Sequence, residues 1–410
     1  MFKHQCLSLY LVVLSRYHSH INSVIQILQH YRGEEPFTSF LKKFFAANKK
    51  YGSKDRKQIT HLCYCYFRLG KAVLTMTVEE KILTGLFLCS DSSNEILAAL
   101  KPEWNEKVSL SFEEKCSMFN IQFSMLNLFQ WSDELSSDID NEKFARSFLI
   151  QPDLFLRIRP GQKEIGLQKL KSAGIQYQFD GNNCISLLNS TKLEDILELD
   201  KEAVIQDYSS QHIGEFLKLI KDDLIPKPFG TPVKVWDCCA ASGGKSILAK
   251  DILGEIDLTV SDIRESILAN LKKRFNDAGI TKYRSVIADL TASNIRSSIL
   301  SLQPSVIIAD MPCSGSGTWA RTPEQLTFFK TSEIERYSSL QKKIISNTIS
   351  QLMPGGYFLY ITCSVFKKEN EENVEFIKKE FHLDLIKMEL LKGYDKKADT
   401  MFAALFKRSL

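Results

Sequence analysis

Residues 236–246, WDCCAASGGKS, join an apolar run typical of a β-strand to the apolar-periodic start of a helix. The stretch ends like the phosphate-loop motif G-x-x-x-x-G-K-[ST], but Cys239 stands where that motif has its first glycine. Small residues at such a turn let a ligand approach the backbone and the helix N-terminus. The loop residues are Cys239, Ala240, Ala241, Ser242, Gly243, Gly244 and Lys245. They predict a ligand loop, either a damaged triphosphate loop or an intact loop for another ligand.

The pattern around this loop repeats to the end of the sequence. Helical segments separate short apolar runs, which read VKVWD, IDLTVSD, RSVIAD, SVIIAD, GYFLYIT and MFAALFK. Alternating strands and helices predict a parallel, doubly wound sheet with helices on both faces. We therefore predict a Rossmann-like α/β domain over residues 231–410.

The residues before this domain predict two further domains. Over residues 1–145 the apolar residues recur at helical spacing, as in INSVIQILQHY and FTSFLKKFFAAN, which predicts an all-helical domain. Residues 146–230 contain two strand-like runs, PDLFLRIRP and CISLL, around the helical stretch QKEIGLQKLKSAGI. They predict a small α/β module, so three domains in series are expected.

Composition and charge narrow the class of protein. The 410 residues are 44% hydrophobic and 25% charged, and no apolar run is long enough to span a bilayer. The ten cysteines are scattered and include no C-x-x-C pair, so we expect reduced thiols in the cytoplasm, with no disulfide scaffold and no metal. Residues 1–80 hold 12 Lys and Arg against 5 Asp and Glu. The positive charge of residues 1–80 favours binding of a polyanion, although an ordinary solvated helix surface explains the charge equally well.

Carboxylates follow the predicted strands of the third domain. Asp262, Asp289 and Asp310 close the second, third and fourth strands, on the edge of the sheet where ligands of doubly wound folds bind. Asp262 stands about 20 residues after the loop, where a carboxylate accepts hydrogen bonds from ribose. Several aspartates at one edge of the sheet favour an adenosyl pocket over a triphosphate site, because a triphosphate site needs Mg²⁺ and a positive lining.

Two cysteines follow neighbouring strands of the same sheet. Cys313 lies in ADMPCSGSGTWARTPEQ after the fourth strand, and Cys363 lies in ITCSVFKKENEENV after the fifth. A thiol, a carboxylate and an adenosyl cofactor together suit methylation of C5 of a pyrimidine. A thiolate adds at C6, an acid hydrogen-bonds or protonates N3, and C5 then accepts a methyl group from S-adenosylmethionine. The residues alone leave open which thiol attacks.

These motifs resemble those of the RsmB/Sun-like RNA (cytosine-5) methyltransferases. The resemblance rests on DCCAASGGKS, SDI, ADMPCSGSGTWARTP and LMPGGYFLYITCSVFKKENEENV, with VIQDYSSQ before the catalytic domain. It covers about residues 146–410. Upstream, GEEPFTSFLKKFFAANKKYGSKDRKQITHLCYCYFRLGK resembles the NusB-like RNA-binding domain of the bacterial RsmB branch.

The resemblance implies a role for each candidate residue. It implies that the loop from Cys239 to Lys245 binds S-adenosylmethionine, together with Asp262, Asp289 and Asp310. Asp310 is expected to lie against the target cytosine, Cys363 to be the nucleophile, and Cys313 to assist product release. The family usually has proline where this sequence has Ser242, so we expect a less rigid loop.

The expected substrate is an unpaired or flipped cytidine in 16S ribosomal RNA, and we expect a monomer. A tRNA methyltransferase and an RNA-binding assembly factor with an idle site are the alternatives. The basic, aromatic stretch at residues 42–57 and the stretch at residues 154–163 are candidates for contact with the RNA backbone.

Overall fold

The computed structural model describes residues 2–72, 76–119, 127–181, 183–224, 232–292 and 302–410, with only the backbone described for residues 2–13. The chain forms two compact units. The first contains residues 1–132, 140–151 and 319–330, and the second contains residues 133–139, 152–318 and 331–410. Among the described residues, no helix is both long enough and apolar enough to cross a membrane.

The first unit is built from α-helices, as its apolar periodicity predicts. Two of them begin with capping boxes, in which Thr77 and Ser111 each exchange hydrogen bonds with a glutamate three residues later. The helices are α1 Phe2–His30, α2 Phe37–Ala47, α3 Ser53–Arg68, α4 Val78–Cys89, α5 Glu95–Leu100, α6 Pro102–Asn105, α7 Phe112–Ser117, α8 Asn141–Ser147 and, from far along the chain, α13 Gln325–Phe328.

A segment distant in sequence completes the aromatic core of the first unit. The Phe328 ring lies 5.1 Å from the Tyr31 ring and 6.0 Å from the Phe67 ring, centroid to centroid. The Trp319 ring lies 5.3 Å from the Trp131 ring. Aromatic pairs at these distances add about 0.5 to 1.5 kcal/mol each beyond the area they bury. Residues 319–330 therefore belong to this core although they follow Cys313 by only a few positions.

The second unit contains a small antiparallel sheet in the order β2-β3-β1-β4, next to helix α9. Its elements are β1 Leu154–Ile158, α9 Lys163–Ser172, β2 Gln178–Phe179, β3 Cys184–Leu187 and β4 Ala203–Ile205. Leu170 of α9 packs with Leu156 and Ile185 in a common apolar core. The predicted strands and helix of this module are confirmed.

The same unit contains a seven-stranded sheet in the order β10-β11-β9-β8-β5-β6-β7. Its strands are β5 Val233–Asp237, β6 Ile256–Asp262, β7 Arg284–Ile287, β8 Val306–Asp310, β9 Tyr357–Thr362, β10 Asp384–Leu391 and β11 Met401–Lys407. Its helices are α10 Tyr208–Leu224, α11 Gly244–Leu253, α12 Glu265–Asp277, α14 Ser332–Ile349 and α15 Glu371–Phe381.

The prediction of a parallel sheet is wrong for β11, and it did not include strand β10. Strands β5 to β9 pair in parallel, whereas β11 runs antiparallel to both β9 and β10. The run MFAALFK is a strand, as predicted, but an apolar run carries no information on its direction. The chain makes a hairpin-like return from β10 into β11, so no crossover helix separates them.

Both faces of the large sheet are covered by apolar residues, as expected for a doubly wound fold. Ile308, Leu359 and Ile361 belong to the core on one face, and Ile307 and Phe358 belong to the core on the other. The side chains alternate because successive residues of a strand point to opposite faces. The carboxyl ends of β5, β6, β8 and β9 thereby meet at one edge.

A buried ion-pair network joins the small sheet to the helices of the large one. Arg157 and Arg159 of the first strand region both bind Asp251 of α11, at 2.6 and 2.7 Å. Arg274 of α12 binds Asp200 at 2.6 Å. The two sheets therefore lie in one compact unit. The predicted boundary at residue 145 stays a prediction, and the one at residue 230 lies in residues 225–231, outside the described residues.

Candidate active site

The loop between β5 and α11 folds tightly against the second strand and α12. Gly243 has a φ of +85°, and a Cβ added there would lie 2.6 Å from the ring of Phe275. Ala241 also has a positive φ, of +46°, and its backbone N–H donates to Asp262 Oδ2 at 3.1 Å. These conformations explain why small residues fill the loop. The loop leads directly into the start of α11 at Gly244.

Asp262 lies at the end of β6, as predicted, and is almost fully buried. Its Oδ1 accepts hydrogen bonds from the backbone and the side chain of Arg264, at 2.9 and 3.1 Å. The Arg264 side chain is 58% exposed, so displacing it costs little. Asp262 therefore has an acceptor oxygen that a ligand hydroxyl can reach when the arginine moves.

Lys245 shows why the loop is unsuited to a triphosphate. Its Nζ donates to Asp310 Oδ2 at 3.1 Å and to Ser210 Oγ at 2.8 Å, and the residue is buried. In a phosphate loop the equivalent ammonium contacts the β- and γ-phosphates. Here its charge is offset by a carboxylate. The pattern G-K-S thus serves to orient Asp310, and Ser210 is a partner that the sequence did not indicate.

Asp237 is a buried carboxyl group that the sequence analysis did not single out. It ends β5, is fully buried, and accepts a hydrogen bond from Ser246 Oγ at 2.6 Å. Its Oδ1 contacts no donor among the described residues. Burial raises the pKa of Asp237 to about 7. The feature of the sequence that could have indicated Asp237 is its position at the end of the strand before the loop.

Cys313 and Cys363 lie side by side, with their sulfur atoms 3.2 Å apart. Asp310 ends β8, Cys313 follows it by three residues, and Cys363 follows the end of the adjacent strand β9. The hydrogen bond with the Cys363 thiol, together with burial, raises the pKa of Cys313 well above its usual value. Cys313 is thus held as a neutral thiol that can donate to the other sulfur.

Gly317 lets the two cysteine loops approach each other closely. Its backbone N–H donates to the Cys363 carbonyl oxygen at 2.9 Å, and its carbonyl accepts from Thr400 N at 2.9 Å. A Cβ added to Gly317 would lie 2.0 Å from the Thr400 carbonyl oxygen. The glycines after Cys313 therefore serve close packing as well as turns.

Asp289 lies two residues beyond β7 and is exposed. Its Oδ1 accepts hydrogen bonds from Thr291, at 2.9 Å from the backbone N and 2.6 Å from Oγ1, and these bonds lower the pKa of Asp289. This geometry is an Asx turn. Asp289 has therefore one carboxylate oxygen turned to its own loop, and its predicted contact with a ligand stays a prediction.

Ser242 is fixed by a side chain that the sequence did not connect to the loop. Arg274 Nη1 donates to the Ser242 carbonyl oxygen at 3.0 Å and to its Oγ at 3.1 Å. The same arginine binds Asp200, so its position is itself fixed. Ser242 is thus restrained by hydrogen bonds from Arg274, at the position where the family usually has proline.

The two stretches predicted to contact RNA differ in the structure. In residues 42–57, Phe45 and Tyr51 are core residues, whereas Lys42, Lys43 and Lys49 are exposed. The prediction for residues 154–163 is wrong for its two arginines, because both are turned inward and paired with Asp251. In residues 156–159 arginines alternate with apolar residues, a pattern that predicts exposed arginines, but in the structure this arginine face is buried.

Comparison with known proteins agrees with this geometry. Residues 227–405 match the family model described as 16S rRNA methyltransferase RsmB/F. The ribosomal RNA small subunit methyltransferase B of Shewanella oneidensis is 29% identical over 178 residues, which is 43% of this chain and 39% of that protein. The 26S rRNA (cytosine-C(5))-methyltransferase nsun-1 of Caenorhabditis elegans is 25% identical over 204 residues, 46% of this chain and 28% of that protein.

A solved structure shares the fold over most of the chain. The crystal structure of PH0851 has a TM-score of 0.67 at 16% identity and covers 95% of this chain and 98% of its own. At this identity the likeness concerns the fold, and the sequence matches span less than half of the two curated relatives. The comparisons therefore show that residues 227–405, less than half of the chain, are similar to the methyltransferases of the RsmB/F family.

Proposed function

We propose that this protein transfers a methyl group from S-adenosylmethionine to C5 of a cytidine in RNA, and that the RNA is 16S ribosomal RNA. The observation that carries the proposal is the pair of sulfur atoms 3.2 Å apart beside Asp310, at adjacent strand ends. C5 of cytosine becomes nucleophilic only after a group adds at C6. Two thiols within contact distance provide one group to add and a second to help its departure.

The resemblance of the TCS and PC motifs to the RsmB/Sun-like family is the basis for the roles that we propose for the two thiols. The raised pKa of Cys313 favours its neutral thiol form, which can donate a hydrogen bond to the Cys363 sulfur. A sulfur atom that accepts a hydrogen bond is favoured as the thiolate. Cys363 therefore forms the S–C6 bond, and the electron pair displaced from the C5–C6 double bond moves into the ring, where Asp310 hydrogen-bonds or protonates N3. Once C5 has received the methyl group, loss of the C5 proton to a base restores the C5–C6 double bond and expels Cys363. Cys363 then takes a proton from Cys313, and N3 gives up any proton that it received.

The residues at the sheet edge fit S-adenosylmethionine. When bound, this cofactor supplies an electrophilic methyl group to C5. The Cys239–Lys245 loop offers backbone N–H groups and no bulky side chain, and Asp262 offers an acceptor for ribose hydroxyls. The loop lysine, Lys245, is already paired with Asp310, which disfavours a polyphosphate as the ligand. We assign Asp289 to the adenosine side of the same pocket, because it follows the strand next to β6.

Replacing Asp262 with alanine is expected to weaken cofactor binding. Loss of a charge-assisted hydrogen bond costs about 1.5 to 3 kcal/mol, which is roughly 10- to 100-fold in Kd. Isothermal titration with S-adenosylhomocysteine measures this directly. Asp257→Ala is the matched control, because Asp257 lies at the other end of the same strand and pairs with Arg284 at the surface. An unchanged Kd for the Asp262 variant would remove it from the ribose site.

The RNA is expected to reach the site as an unpaired or flipped nucleotide, since a stacked base cannot meet a thiol and a carboxylate together. The exposed lysines of residues 42–57 suit contact with its phosphates, in line with a NusB-like role for the helical unit. We place the protein in the cytoplasm and expect it to act as a monomer.

A methyl-transfer assay with transcribed 16S ribosomal RNA and tRNA tests the proposal. We expect incorporation into the ribosomal RNA, at a cytidine that bisulfite sequencing locates. Incorporation into tRNA alone would establish the tRNA alternative. RNA binding without incorporation into either would indicate an assembly factor with an idle site.

A further inference from the structure

A buried hydrogen-bond cluster fixes the chain on both sides of Cys313. The carbonyl oxygen of Pro312 accepts from Gln341 Nε2 at 3.0 Å. The backbone N–H of Ser314 donates to Glu369 Oε2 at 2.9 Å. Both partners lie outside the loop, on α14 and just before α15. The position of the Cys313 backbone is therefore set by side chains from elsewhere in the fold.

The same cluster fixes the chain on both sides of Cys363. Thr362 Oγ1 donates to Asn370 Oδ1 at 2.6 Å, and Ser364 Oγ donates to Glu369 Oε1 at 2.7 Å. Asn370 Nδ2 also donates to the Ser364 carbonyl oxygen at 2.9 Å. Glu369 thus contacts both cysteine loops, one with each carboxylate oxygen.

Glu369 is completely buried, and burying a carboxylate costs free energy unless hydrogen-bond donors surround it. Its carboxylate accepts three hydrogen bonds, from Ser314 N, from Ser364 Oγ and from Gln341 Nε2, the last to Oε2 at 2.9 Å. Spanning two loops that each present a sulfur atom is more than strand packing requires. We propose that Glu369 is a positioning residue that holds the Cys313 and Cys363 loops at the sulfur separation their chemistry needs. The need for that separation rests on the proposed function.

Three substitutions separate position from charge. In Glu369→Gln, an amide oxygen in place of Oε2 still accepts from Ser314 and Gln341, and the amide nitrogen donates to the Ser364 hydroxyl, which can rotate. Glu369→Asp keeps the charge but is one methylene too short to span both loops. Glu369→Ala removes both properties. Glu371→Ala is the control, because Glu371 accepts a hydrogen bond from Ser136 Oγ at 2.9 Å and contacts neither cysteine loop.

Disulfide closure measures the separation without RNA or cofactor. With excess glutathione disulfide, one thiolate forms a mixed disulfide and releases one glutathione, and the second thiolate then closes the Cys313–Cys363 bond and releases another. Peptide mass spectrometry follows this pair apart from the other cysteines. A displacement of about 1 Å can cost 10²-fold in such a reaction, so we expect closure to slow by about 10²-fold in Glu369→Ala.

We expect Glu369→Asp to be slowed as well, and Glu369→Gln and Glu371→Ala to stay within a few-fold of the unsubstituted protein. If Glu369→Ala does not fold, the aspartate and glutamine variants decide. Closure in Glu369→Asp as fast as in the unsubstituted protein, or closure in Glu369→Gln as slow as in Glu369→Asp, would overturn the proposal. Absence of methyl transfer by the unsubstituted protein would contradict the proposed function. The rates of disulfide formation in the Glu369 variants would still test the positioning role.

Discussion

Replacing Cys313 with alanine is expected to turn the protein into a trap for its own substrate. Cys363 can still add to C6 of the cytidine, but no neighbouring thiol returns a proton to it for its departure. The covalent protein–RNA complex should then persist as a band on a denaturing gel, whereas Cys363→Ala should form neither this complex nor methylated RNA. Reaction of each variant with RNA and S-adenosylmethionine, followed by denaturing electrophoresis, measures both effects.

Cys184→Ala is the control for loss of a buried thiol, because Cys184 lies in β3 of the small sheet. It should neither trap RNA nor lose methyl transfer. A complex that survives the loss of Cys363 and disappears with the loss of Cys313 would show that the roles of the two sulfur atoms are exchanged. The 3.2 Å separation permits either order, and the resemblance of the motifs around Cys313 and Cys363 to the RsmB/Sun-like family is what favours the one proposed.

Asp310→Asn is expected to lower the rate of methyl transfer by about 10²- to 10⁴-fold, the usual contribution of a group that transfers a proton to the substrate. An amide keeps the shape and a hydrogen bond but cannot supply a proton to N3. The loss should already appear in the rate of complex formation, because protonation at N3 accompanies attack at C6. Rapid-quench measurement in the Cys313→Ala background resolves that step.

Asp223→Asn provides a matched control for Asp310→Asn. Asp223 binds Lys407 at 3.0 Å on the surface, much as Asp310 binds Lys245 at 3.1 Å in the site. Its substitution removes a comparable ion pair and should leave both rates unchanged. Complex formation at an undiminished rate in the Asp310 variant would place this carboxylate outside the proton transfer.

The sequence predicted those parts of the fold that depend on local periodicity. Strands β1, β3, β5 to β9 and β11 follow from apolar runs, whereas β2, β4 and β10 were not predicted. The direction of β11 could not be predicted, because an apolar run reads the same in a parallel and an antiparallel strand. The inward turn of Arg157 was equally hidden, since its partner, Asp251, lies far along the chain.

Sequence patterns indicated the candidate residues with reactive groups but not the buried residues that surround them. Cys313, Cys363 and Asp310 carry motifs that point to chemistry, and the strand order brings them together. Asp237 and Glu369 carry no such signal, because their importance arises from burial and from partners distant in sequence. Ser242 departs from the family's proline, and only the three-dimensional contact with Arg274 shows how it is held.

The exchange of segments between the two units has a consequence for biosynthesis. A nascent chain presents the helices of the first unit long before residues 319–330 leave the ribosome, and all of residues 152–318 are made in between. Until Trp319 and Phe328 have been translated, the rings of Tyr31, Phe67 and Trp131 lack these packing partners. The core of the first unit can therefore be completed only after residues 319–330, which follow Cys313, have been translated.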